Sequence, residues 1–394
     1  MEPWLERAAA LRPSVVAIDA PDGALTYAEL LARARSVRIT SERVAIALPP
    51  GLDFAVALHA CLLAGACAVP VDLREPEWRL AGAGQVIEAL ENGGQVREVV
   101  SDAALLVHTS GTTGVPREVV LSLGNVLANA LGCAAALGVS RDDRWLCPLP
   151  LHHVAGLMVL LRSVIYGTTV VIGPTDRTDI TVASLVPTQL ARLIDRPPPP
   201  SLRVVLLGGA AADPSLLSRA REAGWPVSPC YGLTQTCSAI TIAEPGDTET
   251  SGRALPGAAV SLASDGEILV SGPSVAGGGV LHTGDLGRFD ERGRLIVRGR
   301  KVDTIVSGGE NVMPAEVEAV LLSHPSVAEA GVFGRPDPHW GEAVTACVVL
   351  RGPADDLLGF ARERLAPFKV PKSIESVESL PRGASGKLLR RELR

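Results

Sequence analysis

This 394-residue chain has few aromatic residues, no net positive charge and no closely paired cysteines, and each of these features argues against a class of function. Aromatic residues make up 3% of the chain, too few for a platform on which single-stranded nucleic acid would stack. The formal net charge of −6 predicts no basic surface for a nucleic-acid backbone. The seven cysteines include no C-x-x-C pair, so we expect reduced, mostly buried thiols in a cytoplasmic protein. Nucleic acid is therefore not an expected partner.

Long uninterrupted apolar runs are also missing. The apolar stretch 55–71 contains His59, Gly65 and Pro70, so it is too short and too broken to span a bilayer. The first seven residues contain no positively charged segment followed by an apolar one, so no signal peptide is predicted. We expect a protein that neither crosses nor binds a membrane.

Lysine is absent from most of the chain. Lysine and arginine together number 37, yet the lysines are only Lys301, Lys369, Lys372 and Lys387. The first 300 residues therefore contain none, which supports a separate C-terminal unit.

Strand-like and helix-like patterns alternate along the first 250 residues. Short apolar runs predict strands at 44–48, 105–108, 169–172 and 204–207, and helical patterns lie at 53–64 and 123–137. This alternation favours an α/β fold, in which a large N-terminal domain has a parallel sheet covered on both faces.

The pattern changes after residue 252. Asp265-Gly266 lies between two short apolar runs and Glu291-Arg292-Gly293 repeats the arrangement, which predicts a small antiparallel β unit. Beyond Lys301, a helix starting at Pro314, a strand at 343–350 and a helix at 354–365 predict a small α+β C-terminal domain. We place the domains at 1–301 and 302–394.

Five polar segments are candidates for chemistry. Segment 109–117 (TSGTTGVPR) follows a predicted strand, and its hydroxyl and backbone N–H groups could bind phosphates, although a polar surface turn has the same composition. It is not a Walker A loop, because no Gly-Lys-Ser/Thr follows. Asp285 in segment 282–285 could bind a ribose diol or only complete an Asx turn. The other segments are 231–236 (YGLTQT), 298–311 and 381–387.

In order and spacing, these segments resemble the adenylate-forming superfamily of acyl-CoA synthetases, luciferases and peptide-synthetase adenylation domains. The resemblance extends from segment 25–30 (LTYAEL) to Lys387, and segment 148–157 (PLPLHHVAGL) is most similar to the o-succinylbenzoate-CoA ligase branch. It implies a ligase that makes an acyl-AMP from a carboxylic acid and Mg·ATP and then transfers the acyl group to coenzyme A. The C-terminal domain would be mobile and rotate near residue 302 between the two steps.

The same resemblance implies roles for individual residues. The phosphates of ATP would be held by Thr109, Ser110, Gly111, Thr112, Thr113, Gly114 and Arg117. The adenine would be framed by Gly208, Gly209, Ala210, Tyr231 and Gly232. Asp285 and Arg300 would bind the ribose, and Thr234 the α-phosphate.

Three further positions complete the implied site. Lys387 would bridge the substrate carboxylate and the α-phosphate, and so stabilise charge that develops in the transition state. His153 would be a gate beside the acyl pocket, unless it is a core histidine. Gly308 and Gly309 would line the path of the pantetheine arm, because glycine lets a thin chain pass close to the backbone.

Three residues depart from the superfamily pattern. Arg117 replaces a lysine, and Val302 replaces the usual Asp or Lys of the hinge. Gln235 replaces a glutamate that supports Mg²⁺, and a neutral amide is a poorer ligand for this cation than a carboxylate. The adenylation half-reaction is therefore open to being weak or lost.

The residues leave several alternatives open. The acceptor could be a carrier protein instead of coenzyme A, and a non-catalytic acyl-adenylate-binding paralogue is a further alternative. The chain could be a monomer or a homodimer. The small apolar residues expected around the acid predict a bulky hydrophobic or cyclic substrate rather than a charged one; these are Leu157, Val186, Ala210, Ala211 and Cys237.

Overall fold

A computed structural model describes residues 4–74, 82–91, 93, 103–109, 117–354, 356–382 and 388–393. The α-helices in these ranges are α1 (Trp4–Leu11), α2 (Tyr27–Ser36), α3 (Leu52–Leu63), α4 (Leu123–Leu137), α5 (Val154–Tyr166), α6 (Pro187–Leu193), α7 (Pro214–Glu222), α8 (Pro314–Leu322) and α9 (Leu357–Arg362).

The strands up to the antiparallel unit are β1 (Val16–Ala20), β2 (Gly23–Thr26), β3 (Arg43–Ile46), β4 (Cys67–Pro70), β5 (Gln85–Ile87), β6 (Ala103–Thr109), β7 (Arg117–Ser122), β8 (Arg144–Cys147), β9 (Thr169–Ile172), β10 (Val182–Leu185), β11 (Val204–Leu207), β12 (Val227–Leu233), β13 (Ser238–Ile242) and β14 (Arg253–Ala254). The later strands are β15 (Ala259–Leu262), β16 (Glu267–Ser271), β17 (Val280–Phe289), β18 (Leu295–Arg300), β19 (Ile305–Ser307), β20 (Glu310–Val312), β21 (Val327–Asp337), β22 (Gly341–Leu350) and β23 (Ser373–Ser376).

The N-terminal domain contains two α/β sheets where the sequence pattern predicted one. One has the strand order β5-β3-β4-β6-β7 and the other the order β14-β13-β12-β11-β10-β8-β9-β1-β2. The inner pairs of both sheets are parallel, and antiparallel pairs lie at their edges. Strands β9, β10 and β11 are buried along their whole length, as expected for strands covered on both faces. The predicted α/β class is confirmed.

Two helices connect these sheets to the candidate site. Helix α3 contacts strands of both sheets, and its residues share one apolar core with helix α5. Helix α5 begins directly after His153 and ends at Gly167, whose φ of 69° suits glycine. His153 is therefore held where the segment 148–153 enters the helix.

The predicted antiparallel unit is a four-stranded sheet of order β15-β16-β17-β18. Its first hairpin turns at Asp265-Gly266, and β17 and β18 are joined through Glu291-Arg292-Gly293, as predicted. Asp285 and Arg300 are partners across β17 and β18, so this pairing brings two of the candidate residues together.

The C-terminal region is α+β, as predicted. Its sheet has the order β20-β19-β22-β21 with β23 paired to β22, and α8 packs on β21. Its main core contains only residues from 305 to 370, and a second core contains β21 and the residues near the C-terminus. Helix α9 is shorter than the predicted 354–365.

The cysteines agree with their prediction. All seven are free thiols, and only Cys230 is not fully buried. Burial raises the pKa of the Cys147 thiol to about 12, so this thiol is protonated at neutral pH.

In the part of the chain that the structure describes, no helix is both long and apolar enough for a membrane span. The same residues contain no group of three or more His, Cys, Asp or Glu side chains that could hold a metal ion.

Candidate functional site

A buried carboxylate at Asp285 is the centre of the site. Asp285 is 6% exposed, and its Oδ2 accepts a hydrogen bond of 2.8 Å from the Tyr231 hydroxyl. Its Oδ1 lies 2.9 Å from Nε of Arg300. Burial raises the pKa of Tyr231, so the phenol remains a donor at neutral pH. Each carboxylate oxygen has a second lone pair, so Asp285 can still accept hydrogen bonds from a diol.

The predicted adenine residues follow neighbouring strands. Gly208, Gly209 and Ala210 come directly after β11, and Tyr231 lies near the end of β12, which is parallel to β11. A side chain at Gly208 would have its Cβ 2.7 Å from Sγ of Cys230, so these two chain segments approach closely. Ligands of open α/β sheets bind at the carboxyl ends of the strands, and the adenine residues lie there.

Thr234 and Gln235 lie in a tight turn between β12 and β13. The turn 234–236 is a single 3₁₀ turn, held by a 2.8 Å hydrogen bond from the backbone N–H of Leu233 to Oγ1 of Thr236. The carbonyl of Gln235 accepts a hydrogen bond of 2.8 Å from the backbone N–H of Ala276. These bonds fix the backbone that carries Thr234. Gly232 lies two residues before Thr234, in strand β12.

The predicted phosphate loop is bracketed by two described residues. Thr109 and Arg117 are partners across β6 and β7, and the Thr109 hydroxyl donates to the Arg117 carbonyl at 3.2 Å. The predicted residues Ser110, Gly111, Thr112, Thr113 and Gly114 lie outside the described residues. Arg117 and Gln235 line one groove of about 850 Å³, so two of the three departures from the superfamily pattern share one surface.

His153 has a second histidine and a buried carboxylate nearby. The rings of His152 and His153 are 4.4 Å apart between centroids. Nε2 of His152 lies 3.3 Å from Oδ2 of Asp72, a residue that is 6% exposed. Arg74 and His152 hold the pKa of Asp72 well below its usual range, with Arg74 the larger cause. The carboxylate is therefore ionised and orients the imidazole of His152.

Sequence reasoning missed Arg162, which lies in the middle of α5. This arginine is 1% exposed, and its Nη2 donates at 2.5 Å to Oδ1 of Asn129, a neutral amide. Its Nε has no hydrogen-bond partner among the described residues. Burial raises the pKa of the Cys237 thiol to about 12, and the positive charge of Arg162 opposes this shift. A single arginine within the apolar sequence 154–166 was the available signal.

Gly308, one of the two glycines of the predicted pantetheine path, faces an exposed tryptophan. Gly308 and Gly309 have φ of 60° and 85°, which glycine adopts without strain. A Cβ at Gly308 would lie 3.1 Å from the ring of Trp340, and a Cβ at Gly309 would have nothing within 4 Å. Trp340 is 40% exposed, and Nζ of Lys372 lies 4.3 Å from the centre of its ring. An aromatic face, a cation and an open glycine turn thus occur together.

The predicted hinge separates two sets of ion pairs. Lys301 pairs with Asp265 at 2.6 Å, whereas Asp303 pairs with Arg390 at 3.2 Å. Val302 lies between them and is 69% exposed. Lys387 lies outside the described residues, which resume at Leu388.

Relatives of known activity match the whole chain. The 2-succinylbenzoate--CoA ligase of Bacillus cereus (strain Q1) is 35% identical, and the match covers 100% of this chain and 98% of that protein. The o-succinylbenzoate CoA synthetase of Bacillus subtilis, solved with the acyl-adenylate OSB-AMP, has 35% identity and a TM-score of 0.91 over 100% of this chain and 98% of its own. Its complex with ATP and magnesium ion has a TM-score of 0.90 at 35% identity, covering 100% and 99%.

One more structure of the Bacillus subtilis protein is less similar to this chain. A double mutant bound to a product analogue, OSB-NCoA, has a TM-score of only 0.70, again at 35% identity and with 100% and 98% covered. Identity and coverage equal those of the acyl-adenylate complex, so this chain superposes less well on the OSB-NCoA complex than on the acyl-adenylate complex. The scores of 0.91 and 0.90 make the acyl-adenylate and ATP complexes the better matches of the three.

The family match agrees with the geometry. Residues 5–89 and 83–278 match the AMP-binding enzyme family, and residues 316–387 match the AMP-binding enzyme C-terminal domain. These ranges include the Asp72 and His153 cluster, the Tyr231 turn and the Trp340 surface. Because the matches cover most of the chain, the protein belongs to the AMP-binding enzyme family.

Proposed function

We propose that this protein is an AMP-forming ligase that joins 2-succinylbenzoate to coenzyme A through an acyl-adenylate. In the first step, an oxygen of the acid attacks the α-phosphorus of ATP and pyrophosphate leaves. In the second step, the thiol of coenzyme A attacks the acyl carbonyl and AMP leaves. The observation that carries the proposal is the full-length match to proteins named as ligases of this kind, one of which was solved with an acyl-adenylate.

The nucleotide would be held by the residues predicted from the sequence. Asp285 would accept hydrogen bonds from the ribose hydroxyls, while Tyr231 and Arg300 hold its carboxylate in place. Thr234 would bind the α-phosphate, and Lys387 would bridge that phosphate and the reacting carboxylate. The phosphate loop, with Arg117 at its end, would hold the other phosphates.

Arg162 supports an acid that carries a second carboxylate. The guanidinium of Arg162 is buried with two neutral partners, the amide of Asn129 and the ring of Trp145, whose centre is 5.8 Å from its Cζ. A buried charge with no ionic partner is costly, and the cost falls when an anion binds beside it. 2-Succinylbenzoate has two carboxylates, so one can be activated while the other pairs with Arg162. The proposed acid is cyclic, as expected from the sequence, but it carries a second charge, which was not expected. The apolar walls would hold the aromatic ring and Arg162 the remaining charge.

Coenzyme A would approach along the C-terminal domain. The turn at Gly308 and Gly309 leaves room for the pantetheine arm, and Trp340 with Lys372 offers stacking and a positive charge beside it. Transfer to a carrier protein and a purely binding role are not favoured, because the relatives that match the full chain are coenzyme A ligases. A cytoplasmic location fits the free thiols.

We also propose that the domain boundary lies at 301/302 and that the C-terminal domain turns there. Lys301 is held by carboxylates of the N-terminal domain, whereas Asp303 is held by Arg390 of the C-terminal domain. The exposed Val302 is the residue between these anchors.

Adenylation is expected to be the slower half-reaction. Gln235 would offer only a neutral amide oxygen to the Mg²⁺ that accompanies ATP. Among the described residues that line the same groove, the carboxylate is that of Glu118. Arg117 retains a positive charge, but as a planar fork rather than a compact ammonium group.

The direct test supplies the purified protein with ATP, Mg²⁺, coenzyme A and a panel of carboxylic acids. We expect the thioester and AMP in equal amounts with 2-succinylbenzoate, and little product with benzoate. Acid-dependent ATP–pyrophosphate exchange, measured beside thioester formation from synthetic acyl-AMP, separates the two half-reactions. Gln235→Glu should speed up the exchange alone. Absence of thioester with every acid, and from synthetic acyl-AMP, would contradict the proposal.

A further inference from the structure

Glu267 is a buried carboxylate whose two oxygens have different partners. It opens β16 and is 8% exposed. Its Oε1 accepts a hydrogen bond of 3.0 Å from the backbone N–H of Gly284, and its Oε2 lies 3.2 Å from Nζ of Lys301. His282 is also close, with Nδ1 3.6 Å from Oε2. One side chain thus touches two distant parts of the chain.

The first partner precedes the ribose-binding residue. Gly284 has φ of 71°, a turn that places Asp285 toward Tyr231 and Arg300. The Thr283 hydroxyl supports the same turn, since it accepts from the backbone N–H of Asp285 at 3.1 Å and donates to the carbonyl of Ile268 at 2.7 Å. Two charged side chains hold this turn: Glu267 through the N–H of Gly284, and Arg300, whose Nη1 donates at 3.4 Å to the carbonyl of Thr283.

The second partner precedes the hinge. Lys301 is the last residue before Val302, and Asp265 holds its ammonium group together with Glu267. Arg300, next to Lys301, pairs with Asp285. Two consecutive cations therefore attach the chain on one side of the hinge, one directly to Asp285 and one to the carboxylate that supports Asp285.

We propose that Glu267 is a positioning residue that couples occupancy of the ribose site to the hinge, through Gly284 on one side and Lys301 on the other. The inference rests on the proposed function, in which Asp285 binds the ribose and the chain turns at Val302. A ribose bound at Asp285 restrains the turn at Gly284, and Glu267 transmits this restraint to Lys301. The bound nucleotide thereby stiffens the hinge on the side of the N-terminal domain and confines rotation to Val302.

Three variants separate the two contacts. Glu267→Gln keeps an oxygen for the Gly284 N–H but loses the charge that attracts Lys301. Lys301→Met removes the ion pairs of Lys301 with Glu267 and Asp265 and keeps the contact of Glu267 with Gly284, whereas Glu267→Ala removes both contacts of Glu267. Lys369→Met is the matched control, because Lys369 pairs with Glu316 at 2.5 Å within the C-terminal domain.

The measurement is hydrogen exchange of the backbone amides at 302–304, with and without a non-hydrolysable acyl-adenylate analogue. Binding of the analogue is measured in parallel by calorimetry. In the wild type and in Lys369→Met, the analogue should slow exchange at the hinge at least about fivefold, the lower end of usual coupling between sites. In Glu267→Gln and Lys301→Met this slowing should disappear while affinity stays within about threefold. Glu267→Ala should also lose about tenfold in affinity, since it loses a charge-assisted hydrogen bond at the ribose turn.

The outcomes distinguish the inference from the function on which it rests. The role of Glu267 would be overturned if the analogue slowed amide exchange at 302–304 equally in the wild type, Glu267→Ala and Lys301→Met. Failure of the wild type to bind the analogue, or unchanged affinity in Asp285→Ala, would instead contradict the proposed ribose site.

Discussion

Replacing Arg162 by methionine tests the proposed substrate most directly. The guanidinium is 1% exposed and has a neutral partner, so Arg162→Met removes a buried charge and leaves no carboxylate behind. The change leaves Oδ1 of Asn129 without this donor, at a cost of about 1–3 kcal/mol, but also removes the cost of burying a charge, so the free energy of unfolding should change little.

The catalytic efficiency of Arg162→Met with 2-succinylbenzoate should fall. A hydrogen bond to a charged group contributes about 1.5–3 kcal/mol, which corresponds to a loss of about 10- to 150-fold in kcat/KM for 2-succinylbenzoate. An analogue whose second carboxylate is a methyl ester should lose much less, because it has no charge for Arg162 to hold. The assay is thioester formation with both acids, beside urea unfolding of each variant.

Arg203→Met is the matched control. Nη2 of Arg203 lies 2.5 Å from the carboxylate of Asp143, which is buried, so this variant leaves an unpaired carboxylate and should lower stability. It should leave the preference between the two acids unchanged. If Arg162→Met retains the wild-type preference for the diacid, or unfolds more easily than Arg203→Met, the role assigned to Arg162 is wrong.

Four other measurements address separate parts of the molecule. Asp285→Ala should weaken binding of an acyl-adenylate analogue in calorimetry by at least about tenfold, because hydrogen bonds to a charged group are lost; unchanged affinity would remove Asp285 from the site. Lys387→Ala should slow ATP–pyrophosphate exchange about 10²–10³-fold while sparing thioester formation from preformed acyl-AMP, as expected for one transition-state donor. Gly309→Trp should block thioester formation and leave acyl-adenylate binding intact, and normal turnover by this variant would place the pantetheine path elsewhere. Burial lowers the pKa of His59 to about 4, so its neutral form stabilises the fold fully above pH 6.5, and this stability falls as the pH drops toward 4, by about 3 kcal/mol in all; urea unfolding at pH 7.5 and 4.5 should show a smaller difference in His59→Leu than in the wild type.

Local patterns in the sequence predicted many of the elements, and the resemblance to a known superfamily supplied the candidate site residues. Strand β9 and helix α4 have the predicted bounds, and the turn at Asp265-Gly266 joins two strands as expected, since these signals depend on neighbouring residues. The motif containing Asp285 was found the same way, and its pairing with Arg300 across two strands needed the structure.

Features that depend on distant contacts were missed. β1, near the N-terminus, pairs with β9 rather than with β3, and this choice divides the N-terminal domain into two sheets. Arg162 is one polar residue in an apolar helix, and its unpaired charge is visible only once Asn129 is placed beside it. Burial and partners are set by tertiary packing, which a local pattern does not contain.

The distribution of lysine has a chemical consequence for an enzyme that makes acyl-adenylates. Such mixed anhydrides acylate free amines, and the first 300 residues, which include Asp285 and Arg162, carry no lysine side chain. The arginines there stay protonated and do not attack the anhydride. Acylation of side-chain amines by the activated intermediate is thus confined to the four lysines of the chain. Lys387, which the proposed reaction brings to the reacting carboxylate, is then also the side chain most exposed to damage by its own intermediate.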